Sequence, residues 1–521
     1  MPAGRRSAMR THTALRGVAG VVLCAIGFWL AYPRRYQQRT FLIDAGGCRM
    51  VTDIVEPASG SADGSVVLLH GLSANKKIMS YVAEGFAAQR LRVFVPDLPG
   101  HGRTTGPFSF ARAEQCSESL FRELIARGGV DPQRSILAGH SLGGAIALRV
   151  ASHIPVGGVI AISPAPMRLV PGLSPEMIPF RGFAALPPES LVMSAAWEPQ
   201  GVRDAARDLL SGASDGTSQY IVIPHATHVS ILFDGRTILR AQEWASRALH
   251  VEPHPALPSH RGLVGYFAGF AGLLFLMGPF LRETLARNKP EGAETEPAAV
   301  VSKGRVFTEL ALSVLGAVGV LHYWNPLSAL HLFEGDYLAS FLLLVGFALM
   351  LLHWSSLGEF RGVRQSGART TSSRWYPLLA SVFAGVVVLL LFTAWFDLAF
   401  SETWLTVWRW ARFPALFMAM LPYHAAEEFL LGLAPHGKIW RRLIVALLLR
   451  LTAWVALLGG IFILHSGEIL LVLLAPYFAL FCVLQRRGMD IVREVTASPG
   501  AAAVFGDILL AGFCLVVFPT T

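Results

Sequence analysis

Two hydrophobic patterns divide the chain. Between residues 40 and 250, short apolar runs alternate with amphipathic stretches of helical spacing, which is typical of alternating strands and helices. From residue 263 onward, long apolar stretches follow one another, each close to the ~20 residues that a helix needs to cross a bilayer. The predicted spans are about 263–281, 306–324, 337–354, 376–396, 413–433, 443–464, 469–485 and 501–518. The sequence therefore predicts an α/β domain followed by an all-α transmembrane domain of about eight spans.

The α/β region reads as single crossovers between buried strands. Strands are expected at 41–43, 50–55, 65–70, 92–97, 136–138, 158–163, 191–195 and 220–223. A Pro-rich insertion at 164–189 interrupts the alternation and predicts a small cap. Alternating strands and helices imply a mostly parallel, doubly wound sheet.

Two further segments flank this domain. Residues 1–39 hold a basic stretch and then an apolar one, with no small-residue cleavage site before Pro33, which favours an uncleaved transmembrane anchor. Residues 251–262 are rich in proline and histidine and read as a linker to the transmembrane domain at 263–521.

Charge strengthens the membrane interpretation. Only 15% of the residues are charged, against about a quarter in soluble domains. The net charge is +9, and the basic residues lie in alternate loops between the apolar stretches, where they would fix the orientation of the spans. They form no basic patch for nucleic acid, so no nucleic-acid partner is expected. Loops at 282–305, 355–375, 434–442 and 486–500 are basic, whereas those at 325–336, 397–402 and 465–468 hold no Lys or Arg. The positive-inside rule then predicts a multi-pass protein of the inner (cytoplasmic) membrane, with the α/β domain on the non-cytoplasmic side.

The five cysteines show no metal or redox spacing, so no metal or cofactor is expected. Cys48 and Cys116 fall in the α/β domain, and we expect no disulfide between them.

One short stretch carries the candidate chemistry. Gly139-His-Ser-Leu-Gly143 follows an apolar strand and precedes a helix, so Ser141 would sit on a sharp turn. The glycines let strand and helix close up, and the helix N-terminus points its free N–H groups at the serine. Ser141 is therefore the candidate nucleophile.

With three other motifs, this turn resembles the α/β-hydrolase fold family, in the branch of monoglyceride lipases and serine aminopeptidases. The matching pieces are His70-Gly71, Pro96-Asp-Leu-Pro-Gly-His-Gly102, Gly139–Gly143 and His228. The resemblance implies an ester-cleaving serine hydrolase and backbone oxyanion donors at Leu72 and Leu142. It does not identify a substrate.

The order of such a triad is Ser, then Asp or Glu, then His. His228 follows the last strand and is the expected base; His225 is the alternative, and a water-facing loop role suits it better. Glu198 lies in the turn after the strand at 191–195 and is favoured as the acid. Asp204 is the alternative acid, although it falls inside a predicted helix.

Substrate and function stay open at this stage. The apolar cap residues suggest a pocket for an acyl chain, or merely packing on the domain; they are Met167, Leu169, Met177, Ile178, Phe180 and Phe183. We expect an ester of a lipid or another acyl compound, together with contact to the bilayer. The alternative is a transporter or membrane scaffold whose hydrolase-like domain only binds or regulates.

Ionisable residues inside the predicted spans form a second candidate cluster. Glu427-Glu428 faintly resembles the first motif of CAAX proteases, but Leu431 and Gly432 stand where that motif continues to its arginine. An intramembrane protease site is therefore less favoured than an ion pair. Counted along the helices, Arg450 lies at nearly the same depth as these glutamates, and we predict that it pairs with one of them, with Asp507 nearby.

Overall fold

The structure is a computed structural model of the 521-residue chain. It describes residues 3–31, 38–58, 61–170, 173, 175–178, 180, 183, 186–212, 216–285, 303–353, 372–399, 401–404, 406–433 and 439–521. Large parts of the predicted basic loops at 282–305, 355–375 and 434–442, and parts of the predicted cap, lie outside the described residues.

The secondary structure follows the two patterns of the sequence. The strands are β1 (Gln38–Ala45), β2 (Cys48–Val55), β3 (Gly64–Leu69), β4 (Leu91–Pro96), β5 (Ser135–His140), β6 (Gly158–Ile162), β7 (Ser190–Ala195) and β8 (Gln219–Ile223). The helices are α1 (Ala3–Ala31), α2 (Ser80–Ala88), α3 (Phe110–Ala126), α4 (Leu142–His153), α5 (Gln200–Arg207), α6 (Gly235–Ala248), α7 (Arg261–Leu285), α8 (Lys303–Tyr323), α9 (Gly335–Leu352), α10 (Ser372–Ala399), α11 (Val407–Trp410), α12 (Phe413–Leu433), α13 (Ile439–Leu464), α14 (Ile469–Thr496) and α15 (Pro499–Val517).

The eight strands form one sheet in the order β1-β2-β4-β3-β5-β6-β7-β8. β1 and β2 form an antiparallel hairpin, β2 pairs antiparallel with β4, and the other neighbours are parallel. The predicted doubly wound, mostly parallel α/β-hydrolase sheet is confirmed. Because parallel strands end at one edge, the segments after β3, β5, β7 and β8 meet there.

The centre of the sheet is buried on both faces, as its apolar strands require. Val66 and Leu68 of β3, Ile136 and Ala138 of β5, and Ile160 of β6 share one core cluster with side chains of α2 and α6. This packing makes the central strands a rigid support for the segments at their carboxyl ends.

The chain divides into two compact units. One contains residues 1–30, 265–395 and 407–518, and the other contains residues 31–264, 396–406 and 519–521. We call the second the hydrolase unit and the first the helical unit. Residues 396–406 and 519–521, which the sequence predicts to belong to the transmembrane domain, thus fall in the hydrolase unit.

Within the described residues, eight helical segments are long and apolar enough to cross a membrane. They are Thr13–Ala31, Arg261–Leu285, Gly304–Tyr323, Gly335–Leu352, Trp375–Leu398, Arg441–Leu464, Ile469–Thr496 and Pro499–Val517. The predicted span at 413–433 is present as the helix α12, but it is not among the eight. Its sequence carries His424, Glu427 and Glu428 in the last three turns.

The buried charges of the helical unit form ion pairs. Arg450 holds Glu427 through two contacts, Nε–Oε1 at 2.6 Å and Nη2–Oε2 at 2.9 Å, so the predicted pairing is confirmed. Glu428 contacts the guanidinium groups of Arg442 and Arg493 at 2.8 Å and 2.6 Å. Both glutamates are therefore neutralised by arginines, which favours a structural role over protease chemistry.

One expectation from the sequence is wrong. Cys48, at the start of β2, is bonded to Cys116 of α3, with 5.4 Å between the two Cα atoms. The hairpin β1–β2 packs on α3 and brings together two cysteines that are 68 residues apart. Spacing along the chain does not reveal such a pair, because the contact depends on how the helix lies against the sheet.

Candidate active site

Ser141 lies on the turn between β5 and α4, in a backbone conformation that only a constrained site holds. Its φ is +52° and its ψ is −118°, outside the regions that side-chain-bearing residues prefer. Two glycines make the turn possible. A Cβ on Gly139 would lie 2.2 Å from the carbonyl oxygen of Gly143, and one on Gly143 would lie 2.3 Å from that of Leu69. The Gly-x-Ser-x-Gly spacing is thus required by close packing.

The loop after β3 lies against this turn. A Cβ on Gly71 would be 3.1 Å from the Cβ of Ser141, so the backbone that leads into Leu72 runs beside the serine. Leu142, on the other side, is the first residue of α4 and is buried. The two backbone amides expected to stabilise an oxyanion therefore belong to segments that both border Ser141.

Glu198 and His228 are brought together at the same edge of the sheet. Nδ1 of His228 lies 2.6 Å from Oε1 of Glu198, and the other carboxylate oxygen accepts the N–H of Ala195 at 3.0 Å. The carboxylate is buried, with 3% of its side chain exposed, whereas 32% of the imidazole is exposed. Because a carboxylate only accepts, Nδ1 carries the proton and Nε2 is left as the basic nitrogen.

The alternative residues lie elsewhere. Asp204 is on α5, where its half-exposed carboxylate contacts Arg207 at 3.1 Å. His225 is exposed in the loop after β8. Asp97, expected to be structural, is fully buried and accepts bonds from the backbone and the ammonium group of Lys76.

His140, which precedes Ser141 in the chain, links the serine turn to His228. Within the described residues, no hydrogen bond joins the hydroxyl of Ser141 to the imidazole of His228; such bonds are often long before substrate binds. Nε2 of His140 donates to the carbonyl oxygen of His228 at 2.7 Å, and the two rings are 4.8 Å apart. His140 therefore ties the loop of the base to the turn of the serine.

Two buried histidines at this edge remain neutral. Burial, and then the nearby charge of His228, lowers the pKa of His140 to about 3. Burial also lowers the pKa of His70 to about 4; its Nδ1 donates to the carbonyl of Gly71, and its Nε2 accepts the N–H of Leu98. Both rings therefore act as neutral hydrogen-bonding braces at any pH near 7.

The predicted cap residues differ in burial, with Phe183 half-buried. Met167, Met177, Ile178 and Phe180 are buried, and the ring of Phe180 packs on that of Phe110. Leu169, in contrast, is 69% exposed. Packing on the domain thus accounts for Phe180, and the acyl pocket stays a prediction.

Sequence reasoning missed several residues near the site. The sequence pattern gives His140 no role beyond a variable position of Gly-x-Ser-x-Gly, and it predicts residues 397–402 only as a loop between spans. Asp397 and Glu402 of that loop lie against the consecutive cations Lys76 and Lys77. The charge complementarity is visible in the sequence, but nothing in it gives the distance. Among the described residues, no group of three or more His, Cys, Asp or Glu is placed to hold a metal ion.

Comparison with known proteins places the chain. The model of the alpha/beta hydrolase family matches residues 66–475, more than three quarters of the sequence. The chain belongs to the alpha/beta hydrolase family. Membership supports hydrolase activity in general.

Individual relatives match over shorter stretches. The magnesium-chelatase 30 kDa subunit of Rhodobacter capsulatus is 42% identical over 134 residues, which are 25% of this chain and 45% of that protein. The pimeloyl-[acyl-carrier protein] methyl ester esterase of Sodalis glossinidius is 32% identical over 132 residues, 24% of this chain and 47% of that protein. The chain thus spans about half the length of these curated relatives. A soluble variant of monoglyceride lipase from Saccharomyces cerevisiae aligns at 15% identity with a TM-score of 0.33, covering 42% of this chain and 97% of that structure.

Proposed function

We propose that this α/β hydrolase is a membrane-bound serine hydrolase that cleaves an ester through an acyl-enzyme. The catalytic residues are Ser141, His228 and Glu198, and the oxyanion donors are the backbone amides of Leu72 and Leu142. The observation that carries the proposal is the 2.6 Å contact between Nδ1 of His228 and the buried carboxylate of Glu198, at the sheet edge that also holds the strained turn of Ser141.

The residues divide the reaction between them. Nε2 of His228 takes the proton of the Ser141 hydroxyl as Oγ attacks the ester carbonyl, and Glu198 stabilises the imidazolium that forms. The N–H groups of Leu72 and Leu142 meet the negative oxygen of the tetrahedral intermediate. His228 then gives its proton to the departing alcohol, which leaves the acyl group on Oγ. A water molecule, deprotonated by the same imidazole, releases the carboxylic acid and restores Ser141.

The family and its relatives support an ester as the substrate class. The matched esterase acts on a methyl ester, and we infer an ester substrate here, with a lipid or another acyl compound as the form that the apolar cap favours. The eight long apolar helical segments support a multi-pass membrane protein.

The hydrolase unit lies on the non-cytoplasmic side of the inner membrane in this proposal. The alternation of basic and non-basic loops supports the orientation, and so does the Cys48–Cys116 disulfide, since disulfides persist in oxidising compartments. A reporter that works only outside the cytoplasm should be active when fused after residue 250 and inactive when fused after residue 295. The opposite pattern would place the substrate in the cytoplasm.

A fluorophosphonate probe tests the chemistry directly, because it reacts with an activated serine. Membranes with the wild-type chain should be labelled, and membranes with equal amounts of Ser141→Ala should not. Equal labelling of the two would refute the proposal. The scaffold alternative predicts no labelling of either.

A further inference from the structure

A short stretch between two helices completes the hydrolase unit. Residues 396–406, here called the return segment, lie between most of α10 and α11 in the chain but belong to the same compact unit as the sheet. Their described members, 396–399, 401–404 and 406, hold two acidic side chains, those of Asp397 and Glu402. The segment touches the loop after β3, which passes beside Ser141 at Gly71 and continues to Lys77.

The first contact is a pair of hydrogen bonds to Asn75. Its amide nitrogen donates to the hydroxyl of Ser401 at 2.8 Å, and its amide oxygen accepts the backbone N–H of Glu402 at 3.1 Å. The same oxygen accepts the N–H of Lys77 at 3.1 Å and so caps the turn that follows. Asn75 is 5% exposed, so these bonds are shielded from competing water.

The second contact is a buried ion pair. The ammonium group of Lys76 lies 2.8 Å from Asp97 and 2.6 Å from Glu402, and all three side chains are at most 3% exposed. A buried ammonium is stable only when its charge is paired, so removing either carboxylate would leave it undercompensated. Lys77, next in the chain, contacts Asp397 at 3.0 Å. Two consecutive lysines are thus held by two acids of the return segment.

Both contacts end in the loop that borders Ser141 at Gly71. Asn75 is three residues from Leu72, and the intervening turn is closed by a bond from the N–H of Ala74 to the carbonyl of Gly71 at 3.1 Å. Within the same turn, the N–H of Ser73 donates to Nε2 of His101 at 3.2 Å. The loop from Gly71 to Asn75 is therefore a short, braced turn, and a shift at Asn75 passes directly to the Leu72 amide.

We propose that the return segment is a positioning element for ester hydrolysis, which holds Asn75 and Lys76 so that the Leu72 amide is aimed at the oxyanion. The inference rests on the proposed function. An oxyanion donor stabilises the transition state only if its position is set beforehand, and small displacements weaken it steeply. Asn75 and Ser401 are positioning residues, since neither is placed to touch the reacting atoms.

The test compares Asn75→Ala and Ser401→Ala with the control Ser246→Ala in the detergent-solubilised full chain. Ser246 is also buried, and its hydroxyl donates within α6 at 2.9 Å, far along the chain from the loop. Loss of a single oxyanion donor typically lowers kcat by about 10²–10³-fold, so we expect about a tenfold or greater loss for Asn75→Ala on a p-nitrophenyl ester, with KM within about twofold. Ser401→Ala should lose several-fold, and Ser246→Ala should match the wild type.

The affinity for a boronic acid that mimics the tetrahedral intermediate supplies a second readout. A general loss of rigidity in the protein would not change this affinity in proportion to kcat. It should bind Ser401→Ala more weakly in proportion to the loss of kcat, while the endpoint of fluorophosphonate labelling stays at the wild-type level. The double variant should be no worse than Asn75→Ala, because both changes remove the same bond. Unchanged kcat in Ser401→Ala, or a rise in KM alone, overturns the inference even where Ser141→Ala is inactive. Should Asn75→Ala fail to accumulate, Ser401→Ala decides. Activity retained in Ser141→Ala refutes the proposed function and this inference with it.

Discussion

Among the histidine–carboxylate pairs of the described residues, two share the same local geometry through Nδ1, one in each unit. In the hydrolase unit, Nδ1 of His228 lies 2.6 Å from Glu198, and in the helical unit, Nδ1 of His424 lies 2.9 Å from Asp507. Both carboxylates are buried. Distance and partner type alone would therefore give the two pairs the same role.

The second ring nitrogen separates them. Nε2 of His424 lies 3.1 Å from the amide nitrogen of Gln485, and only 1% of the His424 side chain is exposed. The amide oxygen of Gln485 in turn accepts a hydrogen bond from Arg450. Both ring nitrogens of His424 are therefore occupied by contacts inside the helical unit. The imidazole of His228 is 32% exposed, and no bond to its Nε2 is formed within the part of the chain that the structure describes. A histidine held by a carboxylate becomes a base only where its other nitrogen stays available.

The sharpest way to break this comparison is to remove each histidine. His228→Ala, like Ser141→Ala, should lower hydrolysis of a short p-nitrophenyl ester by at least about a thousandfold, because the triad acts as a unit. His424→Gln should keep kcat per labelled molecule near the wild type, although less protein accumulates. Equal losses of kcat in the two histidine variants would remove the distinction between the pairs.

The acid of the hydrolase unit can be tested next. Glu198→Gln should lose more than about a hundredfold in kcat, because only the residue bonded to Nδ1 sets the tautomer and stabilises the imidazolium. Asp204→Asn, on the exposed face of α5, is the matched control and should stay within about twofold. The reverse order of losses would transfer the role to Asp204.

In the helical unit, the corresponding changes should act on accumulation. Arg450→Leu or Glu427→Leu leaves a buried charge unpaired, which costs roughly 3–5 kcal/mol in buried pairs. The double variant should accumulate in membranes better than the worse single one, and Arg487→Leu, which removes a neighbouring arginine, should resemble the wild type. A double variant that accumulates no better than the worse single one would contradict the pairing account.

The smallest expected effect is a pH dependence in the hydrolase unit. Burial, and then the charge of Asp97, raises the pKa of Glu402 to about 7, although Lys76 opposes the shift. A raised pKa contributes stability below the ordinary value of 4.5, and this contribution is lost as the pH rises through about 7. Glu402→Gln has no such titration. The Tm of the variant minus that of the wild type should therefore be larger at pH 8 than at pH 5, and a difference that is constant with pH would refute the assignment.

Local patterns predicted much of the hydrolase unit. All eight strands were visible as short apolar runs. For β3, β5, β6 and β7 the reason is burial on both faces, which leaves that signature in consecutive residues. The turn of Ser141 was also visible, because close packing requires glycine at both Gly139 and Gly143, which lie within five residues of chain. The positions of Glu198 and His228 followed from the strand order, and their roles remain predictions.

Contacts between distant segments were less accessible. The position of each residue along its helix was sufficient to pair Arg450 with a glutamate. It was not sufficient to pair His424 with Asp507, because position along a helix does not give the direction in which a side chain points around the helix axis. The Cys48–Cys116 bond and the return segment depend on how elements pack across long separations. Neither leaves a periodic trace in the sequence.

The discontinuity of the hydrolase unit has a consequence for how the chain threads a bilayer. Residues 264, 396–406 and 519–521 all belong to one compact unit, so a membrane-spanning chain must cross an even number of times between them. Four described helices, α7 to α10, separate the first two positions. Between the second and the third lie the one-turn helix α11, which is too short to cross, and the longer helices α12, α13, α14 and α15. The longer helices are an even number only if α12 is counted. In the proposed multi-pass protein, the helix that carries Glu427 and Glu428 would therefore cross with the others, with both carboxylates paired to arginines.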